Sequence, residues 1–345
     1  MRVRPISGRQ RPAHVRSSDR SSDRLSNAFV DRGTAGIGRL GESFNSPSAF
    51  VIINNPEMGR TVLASTFIIA VIYFMKKNMQ QLSLAPGDQF STVQFVLTDM
   101  DETLTYKGRL AATTYMALER LQAQGIRVVP VTAAPAGWCD QMARMWPVDG
   151  VIAENGGLFL RRSGNGHSVE RKYWHAHESF ADMRKQLQTI SGIVEKAVPQ
   201  ARQADDQAFR LTSLAYRRSG TDLDDRIVEA LIDAGANATL NNLWVLGWIG
   251  GYDKLSMSLR VLAETFGIGA EVATELVAYS GDSTNDAPMF SFFKHTVGVS
   301  TVVDYLPQLP TPPAWITRGP GGAGFVEFAD AILGARLNVP SGTSA

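Results

Sequence analysis

The sequence predicts an α/β fold: a parallel-sheet core in two halves, with a smaller α/β module inserted between them. Three observations lead there. Short continuous apolar runs such as VQFVL and ELVAYS alternate with stretches of helical spacing, as strands buried on both faces of a parallel sheet do. Two of these runs end in acidic turns, DMDETLT at 99–105 and SGDSTND at 280–286. Between residues 161 and 248 the pattern changes character, and afterwards the first pattern returns.

Each element follows in order. VQFVLTD, from residue 93, is the first buried strand, and TTYMALERLQAQG is a helix with Met116, Leu118 and Leu121 as its apolar positions and Gly125 as its stop. RVVPVTA is the second strand, with Pro130 marking a departure from a regular ladder. AGWCDQMARMW is a helix and GVIAENGG a third strand ending in a turn. Strand–helix–strand alternation of this kind implies parallel pairing with right-handed crossovers.

In the middle section, SGNGHSVERKYWH reads as loop and strand, and ESFADMRKQLQTISGIVEKAV as a long helix. FRLTSLAYR is a strand, DLDDRIVEALIDAG a helix that starts on acids, and ANATLNNLWVLGWIGG one or two further strands. KLSMSLRVLAETFGI then resumes the core as an amphipathic helix with Leu255, Leu259, Leu262 and Phe266 on one stripe. ELVAYSGDSTND, HTVGVS and the helix FVEFADAILGARL complete it. The expected organisation is therefore a core at 86–160 and 249–336, an insertion at 161–248 and a tail at 337–345.

Composition narrows the function classes. A net charge of +1 over 345 residues gives no reason to expect nucleic acid as a partner. A single cysteine, Cys139, excludes an internal disulfide and suits a reducing cytoplasm, and the absence of any CxxC pair disfavours structural zinc. Residues 1–60, rich in Arg, Ser, Asn and Gly, read as disordered. TVLASTFIIAVIYFM at 61–75 makes a helix of about 22 Å, short of the roughly 30 Å hydrocarbon core. Two readings of this start stand open: a non-native or disordered extension over 1–85, which the short run favours, and a short membrane anchor with the catalytic part in the cytoplasm.

The chemistry lies in the acidic turns. Asp99 and Asp101 sit one residue apart where a buried strand runs out, so repulsion and burial both call for a cation between them. In an open parallel sheet ligands bind beyond the carboxyl ends of the strands, and Asp282, Asn285 and Asp286 are expected at a neighbouring strand end. Clustered carboxylates on such loops suit a hard, oxygen-seeking cation, Mg²⁺ above others. The hydroxyl of Thr132 at a strand end and the ammonium of Lys254 at a helix start would complete an anion site for a phosphoryl group.

DMDETLT, the VT at 131–132, Lys254 and GDSTND, in that order, resemble the four motifs of the haloacid dehalogenase-like hydrolase superfamily over residues 93–335. The place of the insertion, with ENGG at 154–157 and TRGPGGAGF near the end, resembles the C2-capped subfamily IIB of Cof-like and sucrose-phosphate phosphatases and of phosphomannomutases. The resemblance implies a Rossmann-like core with a C2-type cap, and an Mg²⁺-dependent phosphatase for a small phosphomonoester, a sugar phosphate in class. It implies Asp99 as nucleophile, Asp101 as acid and base, and Mg²⁺ on Asp99, the Asp101 carbonyl and Asp282. It further implies Asn285 and Asp286 as supports, Thr132 and Lys254 as phosphate grips, and Thr103 as the residue ordering the first loop. The alternatives are a phosphomutase or a non-catalytic sugar-phosphate-binding module.

Several residues have plainer readings. Asn155 suits a left-handed turn before Gly156 as well as a substrate contact, and Arg210 a solvated basic face as well as a cap residue facing substrate. His175 and His177 read as loop residues rather than a metal pair. VTAAPAGW departs from the family pattern, because a basic residue commonly found after the second motif is replaced by Ala133, Ala134 and Pro135.

Overall fold

The two apolar runs that end in acids lie side by side. The computed structural model describes residues 79–337 except Asn165, His167 and Asn242; the expectations for the amino-terminal stretch, its apolar run at 61–75 and the tail beyond Leu337 fall outside these residues. Among the described residues no helix is long and apolar enough to cross a membrane. In chain order the elements are β1 (Gln80–Gln81), β2 (Phe95–Thr98), the small hairpin β3 (Thr105–Tyr106) and β4 (Arg109–Leu110), α1 (Ala112–Ala123), β5 (Arg127–Pro130), α2 (Ala136–Met145), β6 (Val151–Ala153), β7 (Leu158–Arg162) and β8 (Val169–Tyr173). They continue with α3 (Phe180–Ala197), β9 (Ser213–Arg217), α4 (Asp222–Asp233), β10 (Asn237–Leu240) and β11 (Trp244–Trp248). The chain returns through α5 (Lys254–Phe266), α6 (Ala270–Leu276), β12 (Val277–Gly281), α7 (Ala287–Phe292), β13 (His295–Gly298), β14 (Trp315–Ile316) and α8 (Gly321–Leu337).

The core is a parallel six-stranded sheet in the order β1-β14-β13-β12-β2-β5, continued at one edge by a parallel bridge from Val131 to Ile152. β2 alternates its apolar side chains across this sheet. Val96 joins Leu118 and Leu121 of α1 and Phe325 and Phe328 of α8 on one face. Phe95 and Leu97 join Met257 and Val261 of α5 and Phe290 of α7 on the other. Both faces are therefore dry, which is why the run carries no polar alternation. Leu121 is fully buried, and truncating it to Ala there costs about 2–5 kcal/mol.

Only two of the three apolar positions named for α1 face the core. Thr114, Ala117, Leu118 and Leu121 are inside, whereas Met116 is exposed. Thr114, Ala117 and Leu121 follow i, i+3 and i+7 spacing, so the small residues rather than Met116 share the stripe with the two leucines. α1 ends at Ala123, and Gly125 takes a left-handed φ of 70-odd degrees that a helix could not continue through.

The inserted module is an antiparallel sheet, β10-β11-β9, covered on one face by α3 and α4. Its other face, with Ala215, Leu246 and Trp248, meets Ala133 and Tyr252 of the core. The boundary expected at residue 161 falls inside β7. Leu158 and Leu160 of β7 are buried in the core and Val169 and Tyr173 of β8 pack against it, so this hairpin belongs with the core sheet's helices. The two connections are tied to each other: the Trp174 indole donates to the Gly250 carbonyl at 2.8 Å and His175 Nε2 to that of Ile249 at 2.9 Å. A Cβ on Gly250, at φ +103, would collide with the His175 ring.

Candidate active site

In-register pairing brings the two acidic turns level. Thr98 of β2 lies opposite Ser280 of β12, and the Asp99 N–H donates to the Ser280 carbonyl at 2.8 Å. The Ser280 hydroxyl donates to Thr98 Oγ1 at 2.7 Å, so the strand ends are joined by side chains as well. Past Asp99 the chain wraps around the Met100 carbonyl, which accepts from the N–H groups of Thr103, Leu104 and Thr105. Glu102 takes a positive φ of 59° within this turn, and Thr103 Oγ1 reaches across to Asp282 Oδ1 at 3.4 Å.

Lys254 arrives from the other half of the core. It is the first residue of α5, whose start is fixed by a reciprocal capping pair between Asp253 and Ser256. Its ammonium is fully buried and donates to Asp99 Oδ1 at 2.6 Å and Asp286 Oδ1 at 2.7 Å. Asp286 also accepts from the Tyr279 hydroxyl at 2.5 Å and, through Oδ2, from the N–H groups of Asp282 and Ser283. Both its oxygens are thus occupied, which makes it a holder of Lys254 and of the Asp282 turn. Gly281 is required beside it, since a Cβ there would sit 2.5 Å from Asp286 Oδ2.

Oxygens of Asp99, Asp282 and Asp286 all lie within 4.8 Å of one another, and all three residues are buried. One ammonium among three carboxylates leaves a deficit of positive charge. Burial drives the pKa of Asp99 up to about 7 against the pull of Lys254, with Asp286 and Asp101 adding to the rise. Asp101 is half-buried, and loss of water lifts it to about 6, with Lys254 opposing. Burial works against the charge on Lys254, but Asp286 and Asp99 outweigh it and hold its pKa above the ordinary lysine range. An all-oxygen donor set short of positive charge fits a hard divalent cation.

Thr132 is buried at the end of β5, where its Oγ1 accepts the Ala134 N–H at 3.0 Å and its carbonyl accepts the Asn155 N–H at 2.9 Å. Asn155, at φ +62, meets Asn285 at 3.5 Å, and Asn285 is held by the Ser283 hydroxyl at 2.9 Å. The structure so gathers Asp99, Thr103, Lys254, Asp282 and Asp286 directly, with Thr132, Asn155 and Asn285 on adjoining loops. Arg210 is not on a solvated face. It is buried, paired through Nε and Nη2 with Asp206, and its Nη1 donates to the Ala133 carbonyl at 2.9 Å and to Ser213 Oγ.

Sequence reasoning passed over Tyr279 and Glu154. Tyr279 reads as one more apolar strand residue; its only signal is its distance of seven residues from Asp286. Glu154 lies within ENGG, where sequence gives no sign that the glutamate is buried and at φ +51.

Comparison with known proteins agrees with this arrangement. The sequence model of the haloacid dehalogenase-like hydrolase family matches residues 96–190. A phosphoglycolate phosphatase of Pyrobaculum neutrophilum is 26% identical over 248 residues, covering 71% of this chain and 98% of that protein. The fold is shared with a protein of Thermoplasma acidophilum, at a TM-score of 0.55 and 17% identity, over 70% of this chain and 99% of the other. It is shared also with a HAD/COF-like hydrolase candidate of Plasmodium vivax, at 0.53 and 14%, over 72% and 97%. Over residues 96–190 the chain thus matches the haloacid dehalogenase-like hydrolase family, and its two acidic motifs meet at adjacent strand ends.

Proposed function

We propose that the protein is an Mg²⁺-dependent phosphatase that hydrolyses a small phosphorylated metabolite, a sugar phosphate in class, through an aspartyl-phosphate. The observation that carries this reading is the buried Lys254 ammonium bridging Asp99 and Asp286, with Asp282 beside them. Asp99 and Asp282, with the Asp101 backbone carbonyl, are the groups to hold Mg²⁺, which when bound screens the negative charge of the incoming phosphoryl group.

A carboxylate oxygen of Asp99 forms the new bond to phosphorus while the bond to the leaving oxygen breaks. Asp101 gives its proton to that oxygen, then takes one from the water that splits the acyl phosphate, returning Asp99 and releasing phosphate. Burial raises the Asp101 pKa, so its carboxyl keeps a proton to give at a higher pH than an exposed carboxylate would. Lys254 neutralises charge on the equatorial oxygens and Thr132 donates a hydrogen bond to one of them. The carboxylates of Asp286 and Asp99 keep the ammonium protonated, and Asp286 also holds the turn at Asp282 and Ser283 in place.

The similarity to a phosphoglycolate phosphatase supports a small phosphomonoester, and the inserted module is suited to cover the leaving group. A single buried cysteine is in keeping with a cytoplasmic enzyme. The test is phosphate release across a panel of sugar phosphates, phosphoglycolate, nucleotides and an aryl phosphate, with Mg²⁺ and with a chelator. Metal-dependent release from a sugar phosphate is expected. No release from any member of the panel defeats the reading, and release from non-sugar substrates alone defeats its sugar-phosphate part.

A further inference from the structure

Two buried charged groups fasten a segment of the inserted module to the loop that carries Thr132. The first is Glu154, which is 1% exposed. Its Oε1 accepts the N–H of Ala136 at the start of α2 and that of Leu211; its Oε2 accepts the N–H and hydroxyl of Thr212 and the hydroxyl of Ser213. The second is the Arg210–Asp206 pair, whose guanidinium donates across to the Ala133 carbonyl. One carboxylate and one guanidinium, from opposite sides, therefore hold both flanks of the same core loop.

The surrounding residues are shaped for this contact. A Cβ on Gly157 would lie 2.0 Å from Thr212 Oγ1, and one on Gly137 would lie 3.0 Å from the Phe209 Cβ. The Tyr252 hydroxyl donates to the Thr212 carbonyl at 3.0 Å, and Arg184 of α3 braces the Arg210 and Leu211 carbonyls. In the docked state Glu154, Arg210 and Asp206 all have specific charged or polar partners, beside the apolar contact of Leu246 and Trp248 with Ala133 and Tyr252.

We infer that residues 206–213 are a positioning element of the catalytic centre, fixing through Glu154 and Arg210 the loop that presents Thr132, so that the phosphate grip is complete only when this segment is docked. The inference rests on the reading of Thr132 as a phosphate-binding residue. It gives Arg210 a different part from substrate contact: its directed donors are taken by Asp206, Ala133 and Ser213, and it acts through the loop. The inserted module then governs the phosphate end of the substrate as well as covering the leaving group.

Glu154→Gln tests this without changing volume, because either orientation of the amide turns its NH₂ toward donors. Thr212→Val is the milder companion should the first variant fail to fold. Affinity for inorganic phosphate with Mg²⁺ is measured by calorimetry, aryl-phosphate turnover by phosphate release, and amide exchange on peptides spanning 131–138 and 277–292. Expected are a tenfold or greater loss of phosphate affinity, a similar loss in kcat/KM, and faster exchange at 131–138 with 277–292 unchanged. Thr212→Val is expected to move all three the same way by a smaller factor. Phosphate affinity equal to wild type in a folded variant overturns the inference, as does exchange that rises equally in both peptides. Wild-type protein that neither binds phosphate nor hydrolyses any ester instead defeats the functional reading, and the inference falls with it.

Discussion

The ammonium of Lys254 lies 2.6 Å from the carboxylate of Asp99, across 155 residues of sequence and the whole of the inserted module. The same ammonium touches Asp286, so three segments of the chain share one buried charge. Removing it as Lys254→Met leaves two buried carboxylates without their cation. Truncating one partner of such a network costs about 3–5 kcal/mol. Urea unfolding in the absence of divalent ions is expected to show a loss of that order; an unchanged midpoint would mean that the carboxylates are solvated.

Asp99→Asn preserves shape and still accepts a hydrogen bond from Lys254, so the fold is expected to survive. Turnover is expected to fall by at least about a thousandfold, as when a nucleophile is removed. Asp101→Asn is expected to differ: an aryl phosphate with a good leaving group needs no proton to depart, so phosphate accumulates on the protein and is released slowly. Intact-mass measurement after rapid quenching checks both. A covalent adduct in Asp99→Asn, or none in Asp101→Asn, would contradict the assignment of roles.

Tyr279→Phe removes the 2.5 Å hydrogen bond to Asp286 and little else. A hydrogen bond to a charged group contributes about 1.5–3 kcal/mol. The variant is expected to unfold at lower denaturant by that margin and to keep measurable turnover, since Tyr279 touches no reacting atom. Complete loss of activity with unchanged stability would place the tyrosine in the chemistry itself.

His295, buried at the start of β13, has its pKa held below the ordinary 6.5, chiefly by burial, with Glu275 pulling the other way. The unfolded chain therefore binds this proton more readily than the folded one. Its contribution is intact above pH 6.5 and is lost as pH falls below that value toward the depressed folded pKa. Comparing thermal unfolding of wild type and His295→Phe between pH 8 and 5 isolates the effect, those limits being about one and a half units either side of an ordinary histidine. The difference in midpoint is expected to shift in favour of the variant as pH falls; a constant difference would show that His295 titrates normally.

Much of the site was legible because its parts are local. DMDETLT and GDSTND announce themselves by residue type and by following apolar runs, and parallel pairing made adjacency of their strands a reasonable expectation. Lys254 was legible by its order in the set. Sequence leaves Arg210 open between a solvated basic face and a substrate contact, because its partners, Asp206 and the Ala133 carbonyl, become partners only when the inserted module meets the core. That Met116 is exposed while Leu118 and Leu121 are buried is not legible in sequence, because spacing gives a period but not which of two adjacent faces the neighbouring helix covers.

By itself the sequence determined the alternation of buried strands and amphipathic helices, and the acids at two strand ends, since each depends on residues a few positions apart. Tertiary structure alone decided that Thr98 stands opposite Ser280, that Lys254 reaches Asp99 and Asp286 together, and that Glu154 binds the segment at 211–213. Those relations are set by sheet register and by the docking of distant segments. Side-chain periodicity within one element carries no information about either.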